Sequence, residues 1–406
     1  MRSGALVGDL THQHFRQLDG LRGIAILLVM ACHFDLLYRP ADHQKGLISQ
    51  FAQAGWMGVD VFFVLSGFLI TGILLSTRNG EHYFRNFLGR RFLRIWPLYY
   101  ANLILFFIVI PLVVHGLPGE LQGMIDKQAW FWLYGANWLF AIEHGFNRTS
   151  GGYFWSLAVE EQFYLVWPLV VYWVTPRVLM RISIALLCSS LLLRLGLSAL
   201  GVNLFSLYTV TFTHLDGLAI GAILAIGLRS PEGSKRLLTA LPYCFSIALI
   251  ALVIARVRDG AFYYWSHDTV LYGYTAIAIV GGCALLWALH SNPRGWFNRV
   301  LASPPLTSAG RYSYALYLIH APAISFASMA LMPRLAKSLP GWSYGARYCV
   351  VLAIVVVLSW TLAFASWHLF EKRVLALKKY FSYEQPRNVT IPVAEATAAV
   401  ASPPAR

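Results

Sequence analysis

Long apolar stretches separated by short polar segments make up most of the chain. A bilayer core of roughly 30 Å needs about 20 mainly apolar residues in a helix. Ten segments meet this requirement, approximately at 21–38, 56–76, 97–115, 154–175, 182–201, 209–228, 238–255, 268–290, 312–332 and 347–369. The Trp-rich tract 130–142 is too short to span, which favours an interfacial or re-entrant segment. The pattern predicts an all-α polytopic membrane protein with about ten transmembrane helices.

Composition supports this class, because 58% of the 406 residues are hydrophobic and only 12% are charged. These figures exclude a water-soluble globule, a disordered chain and a secreted disulfide scaffold. The five cysteines lie in apolar stretches without CxxC spacing, so we expect small buried residues rather than disulfides. No stretch has the spacing of metal ligands, and we predict no metal site.

The basic residues predict the orientation of the chain. With a cytoplasmic N-terminus, 22 of the 32 Lys and Arg residues lie in cytoplasmic segments and nine lie outside, while Arg194 lies within the fifth span. This distribution favours both termini in the cytoplasm. The net charge of +14 therefore indicates membrane topology rather than nucleic-acid binding, and no nucleic-acid partner is expected.

The chain divides into one large unit and two short tails. We predict an N-terminal tail over 1–14, a membrane domain over 15–372 and a disordered cytoplasmic tail over 373–406. The N-terminus lacks the apolar core and cleavage site of a removable signal peptide. The Asn147–Thr149 sequon carries little weight without a known secretory context.

Several ionisable residues fall within the predicted spans. Each costs free energy to insert into the membrane, which indicates a structural or functional role. Arg22 and His33 are 11 residues apart, which puts them on one helix face with about 16 Å between them along the axis. We expect His33, Asp60 and Glu160 at similar depth, in the outer third of the membrane. Such a group suits proton transfer, with His33 as base and a carboxylate supporting it. Interhelical hydrogen bonding is the alternative.

Other polar residues within the spans allow two interpretations. His214 and Asp216 can serve structure or function equally well, and His320 fits a core hydrogen bond or a site. For Arg194 we expect a structural ion pair.

A basic run precedes the third span, with Arg85, Arg90, Arg91 and Arg94 beside Trp96. Arg91 and Arg94 are three residues apart, so a helix presents both guanidinium groups on one side. Such groups match phosphate geometry. Anchoring to anionic lipid headgroups is the alternative.

Six sequence motifs resemble those of a known protein family: FRQLDGLRGIAILLVMACHF, GVDVFFVLSGFLITG, RRFLRIWPLYY, GGYFWSLAVEEQFYLVWPL, HLDGLAIGAILA and YSYALYLIH. In this order and spacing the set resembles the acyltransferase-3 family of integral membrane O-acyltransferases, over roughly residues 15–372. The resemblance implies transfer of an acyl group, most often acetyl, from cytoplasmic acyl-CoA. The implied acceptor is a hydroxyl of a cell-envelope or exported carbohydrate or glycolipid, at the bacterial cytoplasmic (inner) membrane.

Site residues follow from the same resemblance. It implies that His33 is the general base or acyl relay, that Glu160 rather than Glu161 is the catalytic acid residue, and that Arg22, Arg91 and Arg94 handle the donor. Asp60 and Ser66 match a further family element. His214 departs from the family, in which many members carry Arg. We expect the stand-alone form without a fused esterase-like domain, with acyl-CoA as substrate and no permanently bound cofactor.

Two rival functions remain open at this point. A proton-coupled transporter or exporter also uses His, Asp and Glu within the membrane, although the sequence shows no inverted repeat. A non-catalytic partner in envelope synthesis is the third reading. Direct transfer versus an acyl-enzyme, the acyl group, the acceptor and the oligomeric state stay undecided. Loops 39–55 and 116–153 are where acceptor specificity is expected.

Overall fold

The computed structural model describes residues 15–38, 47–113, 119–146, 151–260 and 262–383. Within these ranges the chain forms helices and no strands, which confirms the all-α polytopic membrane class. Each of the ten predicted spans contains a main helix: α1 (Arg16–Tyr38), α2 (Gly58–Thr77), α3 (Tyr83–Ile104), α4 (Phe154–Trp173), α5 (Pro176–Ala199), α6 (Asp216–Gly227), α7 (Pro231–Asp259), α8 (Tyr274–His290), α9 (Ser313–Phe326) and α10 (Tyr344–Ser366).

Shorter helical pieces connect or extend these helices. Four π-helical turns lie beside α3, α8, α9 and α10, at Leu105–Val109, Thr269–Gly273, Ala327–Leu331 and Trp367–Glu371. Short α-helices lie at Leu47–Gln53, Ile110–Val113, Gly119–Asp126, Ala129–Trp132, Ala136–Glu143, Leu204–Thr209, Trp296–Leu301, Pro304–Arg311, Met332–Ser338 and Lys372–Ala376. The 3₁₀ turns are Ala54–Met57, Thr211–Thr213 and Leu377–Phe381.

Eight helical stretches in the described part of the chain are long and apolar enough to cross a membrane. The two main helices outside this set are α4, which carries Glu160 and Glu161, and α6, which has 12 residues. The count of ten spans and the cytoplasmic side of both termini stay predictions.

The predicted sixth span, 209–228, is wrong as a continuous helix. A helix over Leu204–Thr209 and a 3₁₀ turn over Thr211–Thr213 precede α6 instead. The break is buried, and the Thr213 carbonyl accepts a hydrogen bond from Arg194. Irregular backbone is tolerated at membrane depth where the protein itself satisfies its polar groups.

Close packing of α2 against α6 depends on glycine. A Cβ on Gly67 would lie 2.1 Å from the Leu218 carbonyl oxygen, and one on Gly221 would lie 2.2 Å from the Val64 carbonyl oxygen. Only glycine permits such an approach of two backbones, as small residues do between membrane helices generally.

The tract 130–142 forms two short helices, Ala129–Trp132 and Ala136–Glu143, joined at Tyr134, whose φ is +53°. Phe131 and Phe140 are fully buried, so the tract packs into the protein. Tyr153 and Phe154 are also buried. The chain therefore begins α4 from inside the protein.

The described part of the predicted C-terminal tail is folded against α3. The Arg90 guanidinium donates to the Phe381 carbonyl at 3.1 Å, and the Asn86 amide donates to the Ser382 carbonyl at 2.9 Å. The predicted tail 1–14, the sequon residues 147–149 and residues 384–406 lie outside the described residues.

All five cysteines are free thiols. Burial was predicted for all of them and holds for Cys32 and Cys283. It is wrong for Cys188, Cys244 and Cys349, which are exposed on the outer faces of membrane helices, where an apolar stretch faces lipid rather than a protein core.

Candidate active site

A cavity of about 110 Å³ lies between α1, α2, α3, α4 and α9, and we call it the central cavity. It brings together four of the six predicted site residues, Arg22, Arg91, Arg94 and Glu160. The other polar residues that line it are Ser66, Ser156, Tyr164, Ser313, Tyr314 and Tyr317.

Aromatic rings hold the two arginines of α3. The Arg91 guanidinium lies 5.6 Å from the centre of the Tyr164 ring, and Arg94 lies 5.8 Å from that of Trp367. Such cation–π contacts fix a guanidinium group without neutralising it. Because Arg91 and Arg94 are one helical turn apart, both face Arg22 across the cavity, as the RxxR spacing predicted.

Glu160 is hydrogen-bonded but not ion-paired. The Ser66 hydroxyl donates to Glu160 Oε1 at 2.7 Å, and the Tyr164 hydroxyl donates to Ser66 Oγ at 3.0 Å. Among the described residues, no arginine nitrogen lies within 4 Å of its carboxylate. Three guanidinium groups and one carboxylate line the cavity, and Arg22 also pairs with Asp19 at 3.4 Å. The positive excess that remains at Arg91 and Arg94 suits an anionic group such as a phosphate.

The expectation that His33, Asp60 and Glu160 share one depth is wrong. Glu160 bonds to Ser66, which lies six residues beyond Asp60 on α2 and therefore about 9 Å further along its axis. The cause is the buried start of α4, because a helix that begins inside the protein carries its seventh and eighth residues, Glu160 and Glu161, further inward. Glu160 consequently lies at the Arg22 end of α1 rather than at the His33 end.

Asp60 faces away from the central cavity. Asp60 and Ser66 point about 120° apart around α2, and the cavity is lined from α2 by Ser66, Val59, Phe62 and Phe63 but not by Asp60. Asp60 instead bonds to His214 Nε2 at 3.1 Å. The expectation that Asp60 supports His33 directly is wrong for this reason.

His33 pairs with His320, which the sequence left between a core and a site role. His33 Nδ1 lies 3.0 Å from His320 Nε2 and 3.1 Å from the Val29 carbonyl oxygen. His320 Nδ1 in turn lies 2.8 Å from the Leu316 carbonyl oxygen.

These contacts assign the protons of both neutral rings. A carbonyl oxygen only accepts, so His320 Nδ1 donates to Leu316 and His320 Nε2 is the acceptor. His33 Nδ1 must then carry a proton and donate to His320 and Val29. His33 Nε2 is left with a free lone pair and has no hydrogen-bond partner among the described residues. An imidazole in this state can accept a proton or attack a carbonyl carbon.

Ser156 and Tyr317, which are not among the site residues predicted from the sequence, lie between the cavity arginines and the His33–His320 pair. Ser156 Oγ lies 2.5 Å from the Tyr317 hydroxyl, and both line the central cavity. The rings of Tyr317 and His320 are 5.8 Å apart. Ser156 lies four residues before Glu160, and Tyr317 lies three before His320, so helical spacing was the available signal. Polar groups therefore run from the arginines to His33.

A second group of polar residues, which we call the buried ion-pair cluster, lies behind α2. Arg194 Nη2 lies 2.8 Å from Asp216 Oδ2 and 2.5 Å from the Thr275 hydroxyl, as a structural ion pair would require. His214 and Asp60 form the adjoining pair. In the described part of the chain no group of His, Cys, Asp and Glu is arranged to hold a metal ion.

The chain is similar to several curated O-acetyltransferases. The chain is 28% identical over 340 residues to peptidoglycan O-acetyltransferase OatA of Listeria monocytogenes, covering 79% of this chain and 51% of the relative. It is 29% identical over 386 residues to putative peptidoglycan O-acetyltransferase YrhL of Bacillus subtilis, covering 89% and 55%. For O-acetyltransferase OatA of Staphylococcus aureus, identity is 31% over 335 residues, covering 76% and 50%.

The chain spans about half the length of the curated relatives it matches. No solved structure matches it. The family model for an acyltransferase domain matches residues 15–364, a range that contains the central cavity, His33 and His320. The chain therefore belongs to the acyltransferase-3 family of membrane proteins.

Proposed function

We propose that this protein is a membrane O-acetyltransferase that moves acetyl from acyl-CoA to a hydroxyl of a cell-envelope carbohydrate, at the bacterial cytoplasmic membrane. Family membership supports acyl transfer, and the relatives named as peptidoglycan O-acetyltransferases make a peptidoglycan sugar the first acceptor to test. Because the chain matches only about half the length of those relatives, the acceptor has to be identified by experiment.

One observation carries the proposal: a cavity with excess positive charge contains Tyr317, whose ring contacts His320, the partner of a histidine with a free nitrogen. Arg22, Arg91 and Arg94 supply guanidinium groups for the phosphates of coenzyme A. Ser156 and Tyr317 lie between these arginines and His320. Donor binding and proton transfer would then occupy opposite ends of the same line of residues.

In this mechanism His33 Nε2 removes the proton from the acceptor hydroxyl. The oxygen attacks the thioester carbonyl carbon, the carbon–sulfur bond breaks, and the coenzyme A thiolate leaves and takes up a proton. His320 holds the His33 ring by accepting from Nδ1 and can stabilise the imidazolium that forms. Glu160, held by Ser66, keeps the arginine cluster from excess repulsion and is expected to orient the donor.

The test uses detergent-purified protein, acetyl-labelled acetyl-CoA and soluble peptidoglycan fragments. We expect release of free thiol together with label on the glycan. His33→Ala and His33→Gln should lower transfer by about 10²–10⁴-fold, the usual contribution of a general base. His267→Ala is the matched control, because His267 is 57% exposed and lies outside the central cavity.

Near-normal transfer by folded His33→Ala would overturn the assignment of His33. Glycan that crosses a proteoliposome membrane while the thioester stays intact would favour the exporter. An absence of thiol release with every glycan and acyl-CoA tested would overturn the enzymatic function.

A further inference from the structure

A second cleft opens where the chain turns from α2 into α3, and we call it the turn cleft. It has a volume of about 720 Å³, and the residues that matter here are Arg78, His82, Tyr83, Phe84, Arg85 and Tyr172. None of them lines the central cavity. From the sequence, Arg85 is predicted only to belong to the basic run before the third span.

The turn cleft combines positive charge with an aromatic cluster in which the rings are tilted against one another and Tyr172 is the most exposed ring. The ring centres of Tyr83, Phe84 and Tyr172 lie 4.9–5.3 Å apart, and Tyr172 is 40% exposed. His82 and Arg85 are exposed beside these rings. A ligand with a flat ring and phosphate groups matches both features, through stacking and charge-assisted hydrogen bonds.

The shape of the turn is fixed by local bonds. His82 has a left-handed backbone with φ of +56°, a conformation that residues other than glycine adopt rarely. The Arg78 guanidinium donates to the Val174 carbonyl at 2.7 Å, which ties the turn to the end of α4. The Tyr83 hydroxyl donates to the Pro168 carbonyl at 3.2 Å. The cleft is therefore formed by ordered side chains from two helices.

The turn cleft, an apolar groove and the central cavity follow one another along α3. The Arg85 guanidinium lies 5.6 Å from the centre of the Phe381 ring. Phe381 also lines an apolar groove together with Phe92, Arg91 and Tyr164, and the last two line the central cavity as well. Arg85 and Arg91 are six residues apart, about 9 Å along the helix.

We propose that the turn cleft binds the adenosine phosphate end of coenzyme A, with the adenine on the exposed Tyr172 ring beside Phe84 and phosphate on Arg85 and His82. The pantetheine arm then follows the apolar groove, and the thioester reaches the central cavity past Arg91. This inference rests on acyl-CoA being the donor, as proposed above. An anionic lipid headgroup offers the same phosphate but no flat ring for the aromatic surface.

The experiment compares acetyl-CoA with S-acetylpantetheine, which carries the thioester but no nucleotide. The variant is His82→Asn/Arg85→Ala, because asparagine tolerates the left-handed backbone. We expect its KM for acetyl-CoA to rise about tenfold, the effect of losing one charge-assisted hydrogen bond. Its KM for S-acetylpantetheine should not change. Adenosine 3′,5′-bisphosphate should inhibit the parent with acetyl-CoA and inhibit the variant correspondingly less.

Arg236→Ala is the matched control, since Arg236 is 78% exposed, pairs with Glu232 and lies outside the turn cleft. An unchanged KM for acetyl-CoA in the variant overturns the inference, and so does an equal rise for both substrates. A rise that appears only in vesicles containing anionic lipid also overturns it and assigns the cleft to headgroups. If the parent uses neither thioester, the proposed function itself fails.

Discussion

Arg194 and Arg91 both lie in the membrane domain, but their surroundings differ in almost every respect. Arg194 is fully buried and donates to the Asp216 carboxylate, the Thr275 hydroxyl and two backbone carbonyls. Arg91 is only partly buried, lies against aromatic rings and has no carboxylate within 4 Å in the described part of the chain. The buried ion-pair cluster is internally paired at Arg194. In the central cavity Arg22 pairs with Asp19 at 3.4 Å, whereas Arg91 and Arg94 have no carboxylate partner among the described residues.

The difference separates two uses of charge in a membrane protein. A buried arginine is tolerated when a carboxylate and hydrogen bonds replace its hydration, and breaking one partner is then costly. Arginines that remain unpaired around a cavity repel each other, and an anionic ligand relieves this repulsion when it binds. Residue type alone does not distinguish the two situations.

The largest expected effect is on the stability of the buried ion-pair cluster. Arg194→Met leaves Asp216 buried and unpaired, so we expect a loss of about 3–5 kcal/mol in the free energy of unfolding. The double variant Arg194→Met/Asp216→Leu should recover part of that loss. Reversible unfolding in detergent micelles measures it, and a stable single variant with normal acetyl transfer would remove the structural role of Arg194.

The cavity arginines should show the opposite behaviour. Arg91→Ala/Arg94→Ala is expected to raise the KM for acetyl-CoA a hundredfold or more, since each charge-assisted hydrogen bond contributes about 1.5–3 kcal/mol. Stability should stay the same or increase because like charges are removed. Steady-state kinetics and an unfolding curve on the same preparation test both statements. A loss of stability as large as that of Arg194→Met would abolish the contrast.

The next prediction concerns His320, which contacts His33 at the end of the site away from the cavity arginines. His320→Phe removes the acceptor that holds the His33 proton on Nδ1, and we expect kcat to fall about 10–100-fold, as for other residues that orient a functional histidine. KM for acetyl-CoA should change little. His320→Gln can still accept from His33 and should restore part of kcat. Equal kcat values for the Phe and Gln variants would argue against an orienting role.

The smallest effect is expected for the hydroxyl pair. Ser156→Ala removes one hydrogen bond to Tyr317, worth about 0.5–1.5 kcal/mol, so transfer should fall about 2- to 13-fold. Tyr317→Phe should give a loss of similar size if the two hydroxyl groups act together. Their double variant then tests for coupling, and strictly additive losses would show that the pair does not act as a unit.

Much of this fold was predictable because long apolar segments in a membrane protein have few alternatives to a helix. The grouping of Arg91 with Arg94 followed from their position on one helix face. The depth of Glu160 could not be predicted, since hydropathy does not reveal that α4 begins inside the protein. The direction of Asp60 depends on how α2 is rotated against α6, which the Gly67 and Gly221 contacts determine.

The pairing of His33 with His320 illustrates the limit more clearly. The two residues are 287 positions apart, and each string taken alone fits a core histidine as well as a site. Only the packing of α1 against α9 shows that they share a hydrogen bond. The sequence could name the candidates, but it could not say which of them touch.

The contact between Arg90 and the Phe381 carbonyl spans 291 positions of the chain, and this separation has a consequence for biosynthesis. At roughly 5–20 residues per second, Phe381 leaves the ribosome about 15–60 s after Arg90. During that interval the nascent α3 carries its basic run in the membrane without the segment that later packs beside it. The groove leading to the central cavity is therefore among the last parts of the protein to be completed during translation.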